Sequence, residues 1–110
     1  MSDTRINKLR LELRRGVLIL SVLASSKVPQ YGYSLRKQLS DAGIEIDEGT
    51  LYPLIRRLAE QELLDSEWKN TDGRERRYYL LSDKGHEVLG QLTEDWQQLN
   101  KSISALLEKA

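Results

Sequence analysis

Six basic side chains fall within 22 residues of this 110-residue chain: Arg56, Arg57, Lys69, Arg74, Arg76 and Arg77. Arginine presents a planar fork of donors that matches phosphate oxygens, and lysine adds a point charge. No other group of residues suggests competing chemistry. There is no paired nucleophile and base, no glycine-rich phosphate loop and no supported carboxylate pair. No catalytic residue and no cofactor are therefore expected. Cysteine is absent, which excludes disulfides and zinc-thiolate sites and permits a reducing compartment. The single histidine, His86, has no second ligand at useful spacing, so it reads as a surface residue and not as a metal ligand.

The elements that would hold these cations lie in residues 46–81, read as one helix running into a hairpin. Leu51, Leu54, Ile55 and Leu58 share a helical face and are assigned to the core. Thr50, Tyr52, Pro53, Arg56 and Arg57 take the other faces. Asp47 is the N-cap candidate. Pro53 lacks an N–H, which costs little if it lies in the first turn, with Gly49 or Thr50 as the effective cap. Leu63–Lys69 and Glu75–Leu81 read as strands around Asn70–Arg74, whose Asp-Gly pair favours a positive-φ turn. Tyr79 and Leu81 are expected inside and Tyr78 on the opposite face. Trp68 reads as packing.

A shorter helix precedes them, from about Tyr31 to Ala42, with Leu35 and Leu39 buried and Gly43 just past its end. Two helices and a tight turn followed by a basic hairpin make a winged helix-turn-helix. Arg56 and Arg57 could enter a major groove, and the wing arginines could reach phosphates or a minor groove. Tyr52 is a candidate for phosphate or base contact, with a structural role as the alternative. The chain's formal net charge is zero, so any nucleic-acid footprint must come from clustering.

The first helix is expected over Thr4–Ala24, with Ile6, Leu9, Leu13 and Val17 inward. Basic residues ahead of Gly16–Ala24 superficially resemble a secretory leader, but the apolar run is short and its flank carries Glu12. Ser82 should cap a last helix in which Leu89, Leu92, Trp96, Leu99, Ile103 and Leu106 step by three and four. That spacing is a helix–helix seam, read as a dimerisation helix. Two Trp96 indoles facing across a two-fold axis, with Leu92 and Leu99 beside them, would wall a cavity suited to a flat ligand.

Tyr31-Gly32-Tyr33, Glu48–Leu58 with its Gly-Thr-Leu-Tyr-Pro core, and Gly73–Gly85 with its Arg-rich wing resemble the PadR family of transcriptional regulators. The single last helix resembles its small subfamily. That resemblance implies homodimers formed through the first and last helices, placing Leu9 and Leu13 with the seam in an interface. It carries Thr50, Tyr52, Pro53, Arg56, Arg74, Arg76 and Arg77 over as DNA contacts. It also places a tryptophan like Trp96 at a pore that takes planar aromatic drugs.

The expectation is a mainly α chain with a small β-hairpin: a winged helix-turn-helix over residues 1–82 and a dimerisation helix over 83–110, in one compact unit. Its partners would be a second copy, a pseudo-palindromic double-stranded operator and a planar aromatic effector. It would work as a cytoplasmic repressor, away from membranes. The alternative is a winged-helix protein–protein interaction module without ligand sensing.

Overall fold

A computed structural model describes residues 3–109. The order is α1 (Thr4–Ser25), α2 (Gly32–Asp41), α3 (Glu48–Glu60), β1 (Leu64–Thr71), β2 (Arg74–Leu81) and α4 (Asp83–Glu108). The mainly helical winged helix-turn-helix with a long last helix is as expected. Among the described residues no helix is long and apolar enough to cross a membrane.

The core lies where the three short helices meet the base of the hairpin. Leu35 and Leu39 of α2 and Leu51, Leu54, Ile55 and Leu58 of α3 are buried against Val22 and Leu23 of α1. Leu64, Tyr79 and Leu81 close it from the hairpin, and Leu89 closes it from α4.

Two expectations about this core are corrected. Ile6, Leu9, Leu13 and Val17 do not face it, being 41%, 58%, 77% and 37% exposed. The core reaches only the last turns of α1, whereas 22 residues of helix span about 33 Å, so the first half overhangs. Leu89, assigned to the seam, is instead 6% exposed and buried in its own chain. The radius of gyration, 16.2 Å, exceeds the roughly 13 Å of a compact chain this long, consistent with both helix ends projecting.

Local chemistry explains most boundaries. Asp3 caps α1 by accepting from the Arg5 N–H at 2.9 Å. Gly43 takes φ +90° just beyond α2. Asp47 stands at the N-cap of α3, but its carboxylate accepts the Thr50 hydroxyl at 2.8 Å instead of a backbone N–H. The helix begins at Glu48, so Pro53 lies in the second turn and not the first. Its ring is exposed, and the Gly49 carbonyl forgoes an N–H partner there.

The hairpin is tighter than expected. Both strands extend to the tip, leaving only Asp72 (φ 54°) and Gly73 (φ 77°) between Thr71 and Arg74. Two consecutive positive φ values match the right-handed twist of the strands. The expected inward face, Tyr79 with Leu81, is buried, while Tyr78 lies opposite.

The start of α4 is fastened to the α3–β1 junction. Ser82 donates its hydroxyl to the Glu62 carbonyl at 2.6 Å and accepts the Gly85 N–H at 2.9 Å. The Ser82 N–H reaches the Leu63 carbonyl at 3.0 Å. A Cβ on Gly85 would collide with the Leu63 carbonyl oxygen and sit 2.6 Å from Leu81 Cδ1. Gly85→Ala should therefore lower unfolding free energy by about 2–3 kcal/mol. A fall in the urea midpoint with an unchanged m-value would register the loss.

Candidate nucleic-acid interface

The candidate surface is built on α3 and the outer half of the hairpin. Burying Leu51, Leu54, Ile55 and Leu58 turns Gly49, Thr50, Pro53, Arg56 and Arg57 outward as one exposed stripe. Arg56 borders a groove of about 810 Å³ between α3, the first turn of α2 and the hairpin. The opposite wall of that groove carries Trp68, Arg74, Arg76 and Arg77. Arg57, Thr50 and Pro53 border a separate groove of about 860 Å³ against α1. The two adjacent arginines of the stripe therefore border different grooves.

Tyr52 is half-buried and belongs to both settings expected for it. Its ring packs on the core and also lines the wing-side groove. A Cβ on Gly32 would lie 2.6 Å from its Cε1, so the glycine at the start of α2 is what lets the ring lie there. The second helix is tied to the third by Arg36 Nη1, 2.5 Å from Glu48 Oε1. Being partly exposed, that pair steadies the turn more than it stabilises the fold.

Three of the wing cations, Lys69, Arg76 and Arg77, lie on aromatic faces. The Arg76 guanidinium carbon lies 4.6 Å from the centre of the Tyr31 ring. Tyr31 meets Tyr78 edge-on at 5.3 Å, and Lys69 Nζ lies 5.4 Å from the Tyr78 ring centre. Across the hairpin Arg77 lies 5.5 Å from the Tyr79 ring and donates to Ser66 Oγ at 2.9 Å. Such contacts orient a guanidinium without neutralising it. The Thr71 hydroxyl, opposed in part by burial and then aided by the polar contact and charge of Arg76 and the charge of Lys69, holds the Tyr78 phenol below its ordinary pKa.

Among the described residues the ion pairs are Arg5–Asp3, Arg36–Glu48 and Lys37–Asp41, and none uses a cation of α3 or the wing. Arg56, Arg57, Lys69, Arg74, Arg76 and Arg77 thus keep their full charge toward an incoming polyanion. A helix and a wing that present free guanidinium groups on one side of the molecule can span a groove and the flanking phosphates of a duplex.

The chain is similar to known proteins in sequence and fold. The Transcriptional regulator PadR-like family matches residues 19–91. The chain belongs to this family. A PadR family transcriptional regulator from Eggerthella lenta is 45% identical, with 96% of this chain and 94% of that one covered and a TM-score of 0.89. A PadR-like transcriptional regulator from Bacillus cereus is 30% identical over 90% of this chain and 99% of that one, with a TM-score of 0.81. The mycobacterial transcriptional regulator Rv3488, from Mycobacterium tuberculosis, is 37% identical over 87% of this chain and 88% of its own length. The chain is accordingly a DNA-binding transcriptional regulator and not an enzyme.

Two features of this PadR-like surface were not read from sequence. Trp68, expected to pack, is 64% exposed. Its register opposite Arg77 lies one rung beyond Ser66 and Tyr79, past the edge of the core. Tyr31 was given no role, yet it carries Arg76; an aromatic immediately before Gly32 at a helix start was its only signal. At the other end of the chain, Leu92 is half-buried, whereas Trp96 (46%), Leu99 (62%), Ile103 (52%) and Leu106 (63%) are exposed along α4. His86 is an exposed residue near the start of that helix.

If Arg76 contacts a phosphate from its seat on Tyr31, Arg76→Ala should flatten the slope of log affinity against log salt by about one unit. Tyr31→Leu should weaken binding in the same direction, and the double variant should be no weaker than Arg76→Ala alone. Anisotropy titrations of a labelled duplex across a salt series measure all three.

Proposed function

We propose that this regulator acts as a homodimeric, sequence-specific repressor in which residues 1–82 read DNA and residues 83–110 hold the two copies together. The observation that carries the reading is the stripe of Trp96, Leu99, Ile103 and Leu106, exposed on a helix that projects beyond its own core. Leu9 and Leu13 extend the same unpartnered character along the overhanging half of α1. Apolar surface on this scale on a lone chain favours association, and a second copy offers the same helical spacing.

A two-fold dimer presents two copies of α3 to successive major grooves, which suits a pseudo-palindromic operator. Thr50, Tyr52, Pro53, Arg56 and Arg57 would meet the major groove and its edges. Lys69, Arg74, Arg76 and Arg77 would meet flanking phosphates or the minor groove. Such a protein works where the DNA is, in the cytoplasm.

The resemblance to the small subfamily supports a further role for Trp96. Two indoles across the dimer axis, flanked by Leu92 and Leu99, would sandwich a planar aromatic molecule. The ligand would release DNA by favouring one separation of the wings, and its leverage cannot exceed its differential affinity for the two states.

Two measurements test this reading. Ile103→Asp buries a charge at the seam on both sides of the axis, so light scattering should show monomers at concentrations where the wild type is dimeric. Retardation of the protein's own upstream region should fall with it, and no preference over random duplex in the wild type would leave only a protein-interaction module. Separately, planar aromatic compounds should quench tryptophan emission in the wild type and lose most of that effect in Trp96→Ala; equal responses would reject the cavity.

A further inference from the structure

The wing carries an indole that neither its fold nor its charge explains. Trp68 leaves 64% of its surface exposed, on an eight-residue strand, next to cations with no acidic partner within ion-pair distance among the described residues. Placing a large apolar side chain in water gains nothing for folding. Its direction is informative. In an antiparallel pair, directly opposed residues share a face, so Trp68 lies with Arg77 on the face that also holds Leu64, Ser66, Tyr79 and Leu81. The inner rungs of that face cover the core. The Trp68–Arg77 rung overhangs it and looks across the groove toward Tyr52 and Arg56 of α3.

We propose that Trp68 is a direct DNA-contact residue, laying its indole on the sugar–phosphate strand that crosses the groove between the recognition helix and the wing. The inference rests on the DNA-binding reading and adds a contact of a different kind to it. A deoxyribose offers an apolar face of matching size, and the indole N–H can donate to a phosphate oxygen. The surrounding cations, Arg56, Arg74, Arg76 and Arg77, favour a polyanion over an apolar protein partner at this place. Because the indole is uncharged and touches backbone, its contribution is to affinity and register, independent of base sequence. It also differs from its arginine neighbours in releasing no counterions.

That difference defines the test. Wild type, Trp68→Ala and Trp68→Phe are titrated across a salt series against a duplex that the wild type retards and against a random duplex. Trp68→Ala should weaken binding to both duplexes by the same factor, about tenfold, with the salt slope unchanged. Trp68→Phe, which keeps an apolar face but lacks the N–H, should fall between. DNA should change the tryptophan emission of the wild type, and Trp68→Phe should lose that change.

Binding by Trp68→Ala within about twofold of a DNA-binding wild type overturns the assignment. So does a flattened salt slope, which would mean that an arginine had been displaced, or a loss confined to one duplex, which would mean base readout. Failure of the wild type to bind any duplex would overturn the DNA reading itself. Circular dichroism establishes that each variant is folded; should Trp68→Ala unfold, the affinity and emission of Trp68→Phe decide.

Discussion

The second strand of the hairpin is hydrogen-bonded along both edges, and the placement of every other element follows from that. On one edge it pairs with β1 over its full length. On the other, Leu81 donates to the Ser26 carbonyl at 2.8 Å, and Tyr79 exchanges bonds with Gln30 at 2.7 and 2.9 Å. The segment between α1 and α2 thus adds an isolated bridge at Gln30 to that edge. Its buried members are satisfied in turn: the Ser26 hydroxyl donates to the Val22 carbonyl at 2.7 Å, and the Gln30 amide bonds the Ser25 carbonyl and the Gln38 side chain. A two-stranded hairpin alone is marginal in water. Bonded on its second edge at Tyr79 and Leu81, this one has its base fixed to the segment that leads into α2.

The chain has zero formal net charge, and the hairpin itself balances Lys69, Arg74, Arg76 and Arg77 with Asp65, Glu67, Asp72 and Glu75, so the cations matter by placement and not by excess. Four acidic residues of the HTH are used locally: Glu48 by Arg36, Asp41 by Lys37, Asp47 by the Thr50 hydroxyl and Glu45 by the Ser40 hydroxyl. Each stands near an end of α2 or α3, where a carboxylate fixes a turn or a cap. Three of the wing cations are steadied instead by tyrosine rings, which orient charge without cancelling it. Bulk charge is therefore a poor guide here, and the residue-by-residue pairing decides what field a duplex would meet.

What could be read from sequence divides along a physical line. Elements set by local chemistry were readable: the Asp72-Gly73 tip, the Ser82 cap, Gly43 beyond α2, and the α3 face of Leu51, Leu54, Ile55 and Leu58. The errors concern where the core stops. Leu9, Leu13 and Leu89 share a helical spacing that indicates burial against something without naming it; Leu89 meets its own core and the other two do not. Trp68 fails for the same reason, since its alternation matches that of buried Leu64 but the layer beneath ends first. Of the helix starts that the sequence leaves open, the structure takes Asp47, whose carbonyl begins the helix while its carboxylate is occupied by Thr50, and Pro53 falls in the second turn.

The same limit of the core gives the last helix its importance. Ser82 and Gly85 lock the first turn of α4 onto Leu63 and Glu62, which directly follow α3. No flexible linker separates the recognition helix from the tail: α3 ends at Glu60, and the residues that receive α4 are its immediate continuation. A 26-residue helix fixed at one end acts as a lever about 39 Å long, by the usual rise per residue. A change in how two such tails cross would be delivered at the fixed end, as a rotation of α3 and the wing together. Close packing at Gly85 favours that transmission, because a joint without free volume moves as a body instead of absorbing strain. In the proposed dimer, events at the tail would reach α3 and the wing through this joint. The glycine, by admitting the Leu63 carbonyl, makes that joint stiff.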